Sequence, residues 1–412
     1  HIVGGYMNGK ANKIIKNLLL EGNDQNIGIQ IGDKEITGRG GSSLILENIA
    51  FVHFDKALYL DYGLGNKIIF CRFKYNNYAA YFKGRPGGAC NTNRFYGCYF
   101  VQNNTVLKYV GDANTNVYEN CTMEGNFGLV LDSTEHTRGE TGDNNIAFLN
   151  CHFEANNSDD IYFDSKSRLY FLNSYGVQYG NFQGKTTFEH CSIVNPDPNI
   201  FILNDATIKD SQFTGNGSRF LTGNPVLENI DLRGSLSIGY KGTNSIIPIK
   251  YPLNLINDPY FETSTNFNAS STNPPIISLD PSTKIFGTNS LKAEFSTIGN
   301  KDTSYIYSSP LHIPFNFRPI LTFFLKSNID AVIGVNIGGY QGYGTFSIPV
   351  TTEWQRYIFI CQPCNRESGD DAYIYLYPKD IAPITINIDA INFSVVPSLK
   401  DAKILLDGGI SE

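Results

Sequence analysis

One recurring pattern limits what this chain can fold into: an apolar residue, two residues, a Cys or small substitute, one residue, a second apolar residue, two residues, then Asn. Phe95-Tyr96-Gly97-Cys98-Tyr99-Phe100 runs on to Asn103, Tyr118-Glu119-Asn120-Cys121-Thr122-Met123 to Asn126, and Phe148-Leu149-Asn150-Cys151-His152-Phe153 to Asn156. Phe188 precedes Cys191 and Ile193, and Ile208 precedes Ser211, Phe213 and Asn216. Weaker copies centre on Ile49, Cys71, Ser174 and Ile230, so that successive centres lie 22, 27, 23, 30, 23, 17, 20 and 19 residues apart. A constant pattern at a variable period of this size is what a solenoid produces: each copy is one coil, stacking fixes the strand positions, and loops absorb the insertions. A leucine-rich repeat needs a regular Leu-x-x-Leu-x-Leu pattern, which is missing here.

The fold expected over 27–238 is therefore a right-handed parallel β-helix in an all-β chain. A Cys and the apolar residue two later share one strand face. Stacked coils then carry Cys71, Cys98, Cys121, Cys151 and Cys191 into an interior ladder with Ser174 and Ser211. Rungs about 4.8 Å apart bring some thiols near disulfide distance. The exchange of Cys for Ser argues instead for a small buried residue, so reduced thiols are expected. The Asn that closes each copy is read as a bend residue tolerating the left-handed region. Cys361-Gln-Pro-Cys364 is a lone CxxC with no second ligand pair and no surrounding thioredoxin-like pattern, and is read as structural.

Composition excludes some functions. The 32 basic against 39 acidic residues give a net charge of -7, the wrong sign for nucleic acid. No run of eighteen apolar residues is present, so no membrane insertion is expected. The chain starts at His1 with neither Met nor a signal-like segment, and any localisation signal is expected to have been lost. His1-Ile2-Val3-Gly4-Gly5-Tyr6 has the form of a mature trypsin-like start, but no Gly-Asp-Ser-Gly-Gly segment follows.

The expected organisation is 1–26 entering the β-helix, 27–238 the β-helix, 239–253 a connector, 254–397 an antiparallel β-sandwich, and 398–412 a tail. After Gly239 the repeat stops, and alternating segments take over: Thr303 to Ser308, Leu321 to Lys326, Val332 to Ile337, Thr345 to Pro349, Arg356 to Cys361, Ala372 to Tyr377 and Thr385 to Val395. With Asn257-Asp258-Pro259-Tyr260-Phe261-Glu262 at its start, Thr352-Glu353-Trp354-Gln355-Arg356 inside it and Ile388-Asp389-Ala390-Ile391-Asn392-Phe393 at its end, this region resembles jelly-roll carbohydrate-binding modules. The resemblance implies tyrosines that stack on sugar rings, here Tyr340, Tyr343, Tyr373 and Tyr375. It also implies a core Trp354, and a structural Ca²⁺ near Glu262 and Asp389. No other cofactor is expected.

A β-helix followed by a jelly-roll, Asn-rich and without the catalytic motifs of common enzyme families, resembles bacteriophage tailspikes. That resemblance implies a homotrimer on the virion tail, outside the cell, which binds and cleaves bacterial surface polysaccharide, capsule or lipopolysaccharide. It carries no catalytic residue over, because tailspike active sites differ between members.

Candidate residues come instead from the columns of the coils. The position three after the ladder Cys reads Lys74, Val101, Glu124, Glu154, Val177, and the position one after reads Arg72, Tyr99, Thr122, His152, Tyr175. Glu124 and Glu154 form the first expected catalytic pair, with His152 beside them and Tyr99, Tyr175 and Arg72 as substrate contacts. Asp132 and Asp164, from Leu129-Val130-Leu131-Asp132 and Ile161-Tyr162-Phe163-Asp164, form the second. A long insertion, Ser133 to Asn145, adds Glu135, His136 and Arg138 as binding residues, Arg138 for an acidic sugar. No metal ligand set is expected. Paired carboxylates suit a glycoside hydrolase, while His152 with Tyr175 and Arg72 suits a lyase. A non-catalytic receptor-binding spike and a secreted polysaccharide enzyme are the alternatives.

Overall fold

The computed structural model describes residues 13–32, 41–84, 90–113, 115–136, 145–154, 156, 162–177, 180–194, 201–204, 206–223, 225–228, 230–233, 236–242, 255–256, 258–263, 267–270, 272–300 and 302–397. It is an all-β chain in two compact units, 1–212 and 213–412.

In the first unit every coil contributes short strands that pair in parallel with those of the coils before and after. Leu44–Val52 serves both halves of the next coil: Ile45 lies opposite Lys67, and Ala50 opposite Arg72. The same two half-strands repeat at Arg94–Tyr96 and Tyr99–Val101, at Asn116–Glu119 and Thr122–Glu124, and at Asn145–Leu149 and His152–Glu154. A third strand per coil builds a second sheet, running through Lys56–Asp61, Tyr78–Lys83, Thr105–Gly111, Leu131–His136, Phe163–Ser165 and Gly180–Phe182. This is a parallel β-helix with three strand positions per coil. The N-terminal segment already belongs to it, since Lys13–Glu21 pairs in parallel with Leu44–Val52.

The expected Cys ladder lies inside, with all eight thiols free and buried. Sulfur approaches backbone oxygen of the coil before: Cys98 Sγ lies 3.4 Å from Ile68 O, Cys151 Sγ 3.4 Å from Tyr118 O, and Cys191 Sγ 3.4 Å from Phe171 O. Ser stands in without loss, since Ser174 Oγ accepts from Cys151 N and Ser211 Oγ from Cys191 N. Beside this ladder, aromatic rings stack rung on rung. Centroids are 4.8 Å apart from Phe51 to Phe73 and again to Phe100, and 4.8–5.2 Å apart along Phe95, Tyr118, Phe148, Phe171 and Phe188.

The recurring Asn plays another part than expected. Asn76, Asn103, Asn126 and Asn156 are buried, and the left-handed residue is the one before, at Tyr75, Gln102 and Gly125. All four turn inward: Asn76, Asn103 and Asn126 donate Nδ2–H to Oδ1 of the next coil's Asn at 2.9–3.1 Å, and these three and Asn156 donate to a carbonyl of the coil before at 3.0–3.2 Å. A second amide ladder runs through Asn66, Asn93 and Asn116. The bend role falls to other residues, those just before the Cys ladder: Asn120, Asn150 and Asn173 have φ of 52°, 51° and 49°.

In the second unit Gly217–Gly223 pairs in parallel with Leu236–Gly242, whose other edge pairs antiparallel with Gln355–Ile360. That strand leads to Phe317–Ser327, Ile384–Pro397, Ser290–Phe295 and Ile276–Asp280. The facing sheet runs Phe267–Ala269, Ile306–Ser308, Asp370–Pro378, Ala331–Gly338 and Gly342–Val350. Coil strands and sandwich thus share one sheet. Buried Arg318 ties the two parts, donating to Leu232 O at 2.9 Å and Cys361 O at 2.6 Å.

Burial pushes the Cys90 and Cys361 thiols up to about 12 and that of Cys191 up to about 11. Reaction with a thiol reagent is expected to be slow in the native protein at neutral pH and to reach all eight thiols once the chain is unfolded without reductant. Recovery of only four to six would establish disulfides.

Candidate functional site

The first column forms as the Cys register requires. Glu124 lies opposite Glu154 and Thr122 opposite His152, with Arg72, Tyr99 and Tyr175 in line. Each carboxylate has its own partner. The Tyr99 hydroxyl donates to Glu124 at 2.5 Å, which raises the pKa of the phenol. Arg72 sits 5.4 Å from the Tyr99 ring. His152 Nε2 lies 3.4 Å from the Glu154 carboxylate, whose side chain is 59% exposed, and the His152 ring lies 5.3 Å from that of Tyr175. Val177 leaves the column. Gly176 has φ +82°, and a Cβ there would lie 1.9 Å from Phe153 O. The resulting bulge turns Val177 inward, opposite Ile193.

The second column is more enclosed. Asp132 lies opposite Asp164. In the coil before stands Lys108, then Tyr81 and Tyr59; in the coil after stands Asn181. Lys108, with a side chain only 9% exposed, reaches Asp132 Oδ2 at 2.7 Å and Glu135 Oε1 at 2.6 Å. Burial opposes the lysine's charge, but the bonds to Asp132 and Glu135 outweigh it and raise its pKa. Thr134 donates to the other Asp132 oxygen through N–H at 3.1 Å and its hydroxyl at 2.8 Å. Asn181 Nδ2–H donates to Asp164 at 3.1 Å. Burial first, and then the neighbouring Asp132 charge, lift the pKa of Asp164 above the ordinary carboxylate value. Half-buried Tyr59, Tyr78 and Tyr81 adjoin the column, ring to ring at 5.4–5.5 Å, with the Lys56 ammonium 5.4 Å from Tyr81.

Lys108 was not among the sequence candidates. Its signal is there: Val106-Leu107-Lys108, Val130-Leu131-Asp132 and Tyr162-Phe163-Asp164 are one strand position in three coils. The expected insertion also starts later. Ser133 to His136 continue the strand, with Ser133 Oγ buried 2.8 Å from Ser165 Oγ. Glu135, on the strand opposite Val110, reaches the column through Lys108, and the His136 backbone pairs with Gly111. Arg138 falls in 137–144, outside the described residues.

The sandwich carries a tyrosine face. Asn268, Tyr307, Tyr375, Asn336 and Thr345 form one row across the sheet, flanked by Tyr305, 5.5 Å from Tyr375, and Tyr373, 6.1 Å from it. Tyr343 is instead core, its hydroxyl donating to Asp370 at 3.0 Å. Trp354 is half-buried, 5.8 Å from the Lys326 ammonium. Asp389 accepts N–H groups of Ile285, Phe286 and Ala390 at 2.6–2.9 Å, and Glu262 accepts the Thr288 N–H and hydroxyl at 3.0 and 2.5 Å. As placed, the pair closes the 285–288 loop and offers few of the six to eight oxygens that Ca²⁺ takes. In the first unit Glu189, His190 and Asp210 bring ligand atoms within 4.8 Å of one another, but Glu189 already accepts the Tyr170 hydroxyl at 2.9 Å.

No family model and no curated protein matches the sequence. Among solved structures, the chain is similar to the enzymatically active domain of tailspike protein 4 from bacteriophage CBA120, at 13% identity and a TM-score of 0.37, over 93% of this chain and 64% of that one. The chain is also similar to the structure of the CBM22-1 and GH10 modules of Clostridium thermocellum endo-1,4-beta-D-xylanase 10B, at 10% identity and TM-score 0.28 over 35% of this chain and 29% of that one. A family 16 carbohydrate-binding module matches at 15% identity and TM-score 0.27, over 34% and 99%. The chain thus spans less than two thirds of the tailspike domain.

Replacing Lys108 by Met removes a cation that now lowers the Asp164 pKa. Carboxyl NMR titration is expected to show Asp164 moving further up in Lys108→Met. No movement would mean that the lysine charge does not reach the acid pair.

Proposed function

We propose that the protein is a polysaccharide depolymerase of the tailspike type, acting by glycoside hydrolysis at Asp132 and Asp164. The observation that carries this reading is the split between the two carboxyls. Asp164 is pushed toward its protonated form, while Asp132 accepts hydrogen bonds from a buried lysine and from Thr134. Opposite environments on paired carboxyls separate acid from base or nucleophile. Neighbouring rungs lie about 4.8 Å apart, the scale of a retaining pair at about 5–5.5 Å. In this scheme Asp164 gives its proton to the glycosidic oxygen as the C–O bond breaks, and Asp132 attacks the anomeric carbon. Asp164 then takes a proton from the water that hydrolyses the glycosyl ester. The solvated Glu124–Glu154 column, each member engaged by a different neighbour, is less suited to that division.

The tyrosine row of the sandwich supports glycan binding beside cleavage, since flat rings stack on the apolar faces of sugars. Bacterial capsule or lipopolysaccharide is the proposed substrate, and the virion tail the proposed location.

On purified capsule, Asp164→Asn and Asp132→Asn are each expected to cut reducing-end release by at least about a hundredfold, with Glu124→Gln and Glu154→Gln near the parent rate. The parent rate is expected to fall as pH rises through the raised Asp164 pKa, because the acid must carry its proton. Full activity in both Asp variants would refute the site, and unsaturated uronate products would replace hydrolysis by elimination.

We further propose a homotrimer. Phe70, Phe127 and Tyr175 stand 57%, 54% and 53% exposed on the coils, apolar surface that closed cyclic association of the coils would bury. Light scattering is expected to give three chain masses; one chain mass across micromolar concentrations would refute it.

A further inference from the structure

At one loop end of the sandwich a single ring stands almost free: Tyr340 is 85% exposed. Its backbone is nevertheless firmly held. Buried Asp370 accepts the N–H groups of Tyr340 at 3.1 Å and Gln341 at 2.9 Å, and the Tyr343 hydroxyl at 3.0 Å. The Gln341 side chain ties this loop to the one facing it, donating to Pro363 O at 2.9 Å and accepting from Asn365 N at 3.0 Å. From that second loop the Arg366 guanidinium lies 4.4 Å from the Tyr340 ring centroid. Its nearest carboxylate, Asp370, is 3.9 Å away and committed to the donors just named. Among the described residues the Arg366 side chain makes no hydrogen bond. The other acids nearby are exposed Glu367, next in sequence, and Asp371, which lies 3.0 Å from His312.

We propose that Tyr340 and Arg366 form a subsite for an acidic sugar, a pyranose ring bearing a carboxylate. The ring face stacks on Tyr340, and the guanidinium fork pairs with the carboxylate in the two-pronged manner that arginine allows. Hydrogen bonds hold the backbone of the Tyr340 loop and tie it to the loop that bears Arg366, so less freedom is lost when the sugar arrives. A protein partner is disfavoured, because a stable interface takes about 800 Å² per side, and Tyr340 stands here among Gln341, Gln362 and Asn365. The subsite is independent of the catalytic reading above.

The test is affinity electrophoresis of the full chain carrying Asp164→Asn, in native gels containing polygalacturonate, alginate, hyaluronan or polysialic acid, with dextran as the neutral comparison. At least one acidic polymer is expected to retard it and dextran not. Added Tyr340→Ala or Arg366→Lys is expected to weaken that retardation about tenfold or more, with Tyr340→Phe close to the parent and thermal melts unchanged. The proposal is overturned if no acidic polymer retards the protein, if dextran does so equally, or if both substitutions leave retardation intact. A Tyr340→Ala protein of altered oligomeric mass with unaltered retardation would make the tip a subunit contact instead.

Discussion

The in-register stacking of buried amides is the constraint on which the β-helix rests. Asn103, within the ladder, has its Oδ1 filled by N–H groups of Asn76 in the preceding coil, and its Nδ2 shared between Asn126 and a carbonyl behind. Asp in its place would lack the donors, and Leu would leave neighbours unsatisfied at about 1–3 kcal/mol each. A shift of one residue in any coil would break the amide ladder, the thiol ladder and the ring stacks together. Register is therefore set cooperatively, and the outward side chains inherit it.

That inheritance made the candidate columns legible from the chain alone. Once Cys121 and Cys151 are taken as equivalent rungs, Glu124 must meet Glu154, and the same arithmetic on Leu131 and Phe163 aligns Asp132 with Asp164. The reading broke where backbone geometry intervened. Gly176 inserts a bulge that no apolar count reveals, and Val177 turns inward. The Asn of the repeat was assigned to the bend because Asn tolerates positive φ, whereas the bend takes the residue before it and the amide goes inside. Lys108 holds the same strand position as Asp132 and Asp164, but a lone cation does not mark a column recognised by its carboxylates.

The sandwich was legible as strands but not as a surface. Alternation located seven of its strands to within a few residues, while antiparallel register depends on turn lengths that the pattern does not encode. The row from Asn268 to Thr345 consequently could not be foreseen, and Tyr343, three residues from Tyr340, went to the core and not the surface. What separates those two tyrosines is the buried carboxylate of Asp370, a tertiary partner 27 residues beyond Tyr343.

The strand Leu236–Gly242 has a consequence beyond joining coil to sandwich. A parallel solenoid whose last strand stays open presents a row of unmet N–H and C=O groups, a template for end-to-end growth. Here that edge is taken by Gln355–Ile360, running the opposite way. The chain thus supplies its own stopper from more than a hundred residues downstream. A protein severed before residue 355 would keep every coil and yet be left with an adhesive end, prone to fibre formation.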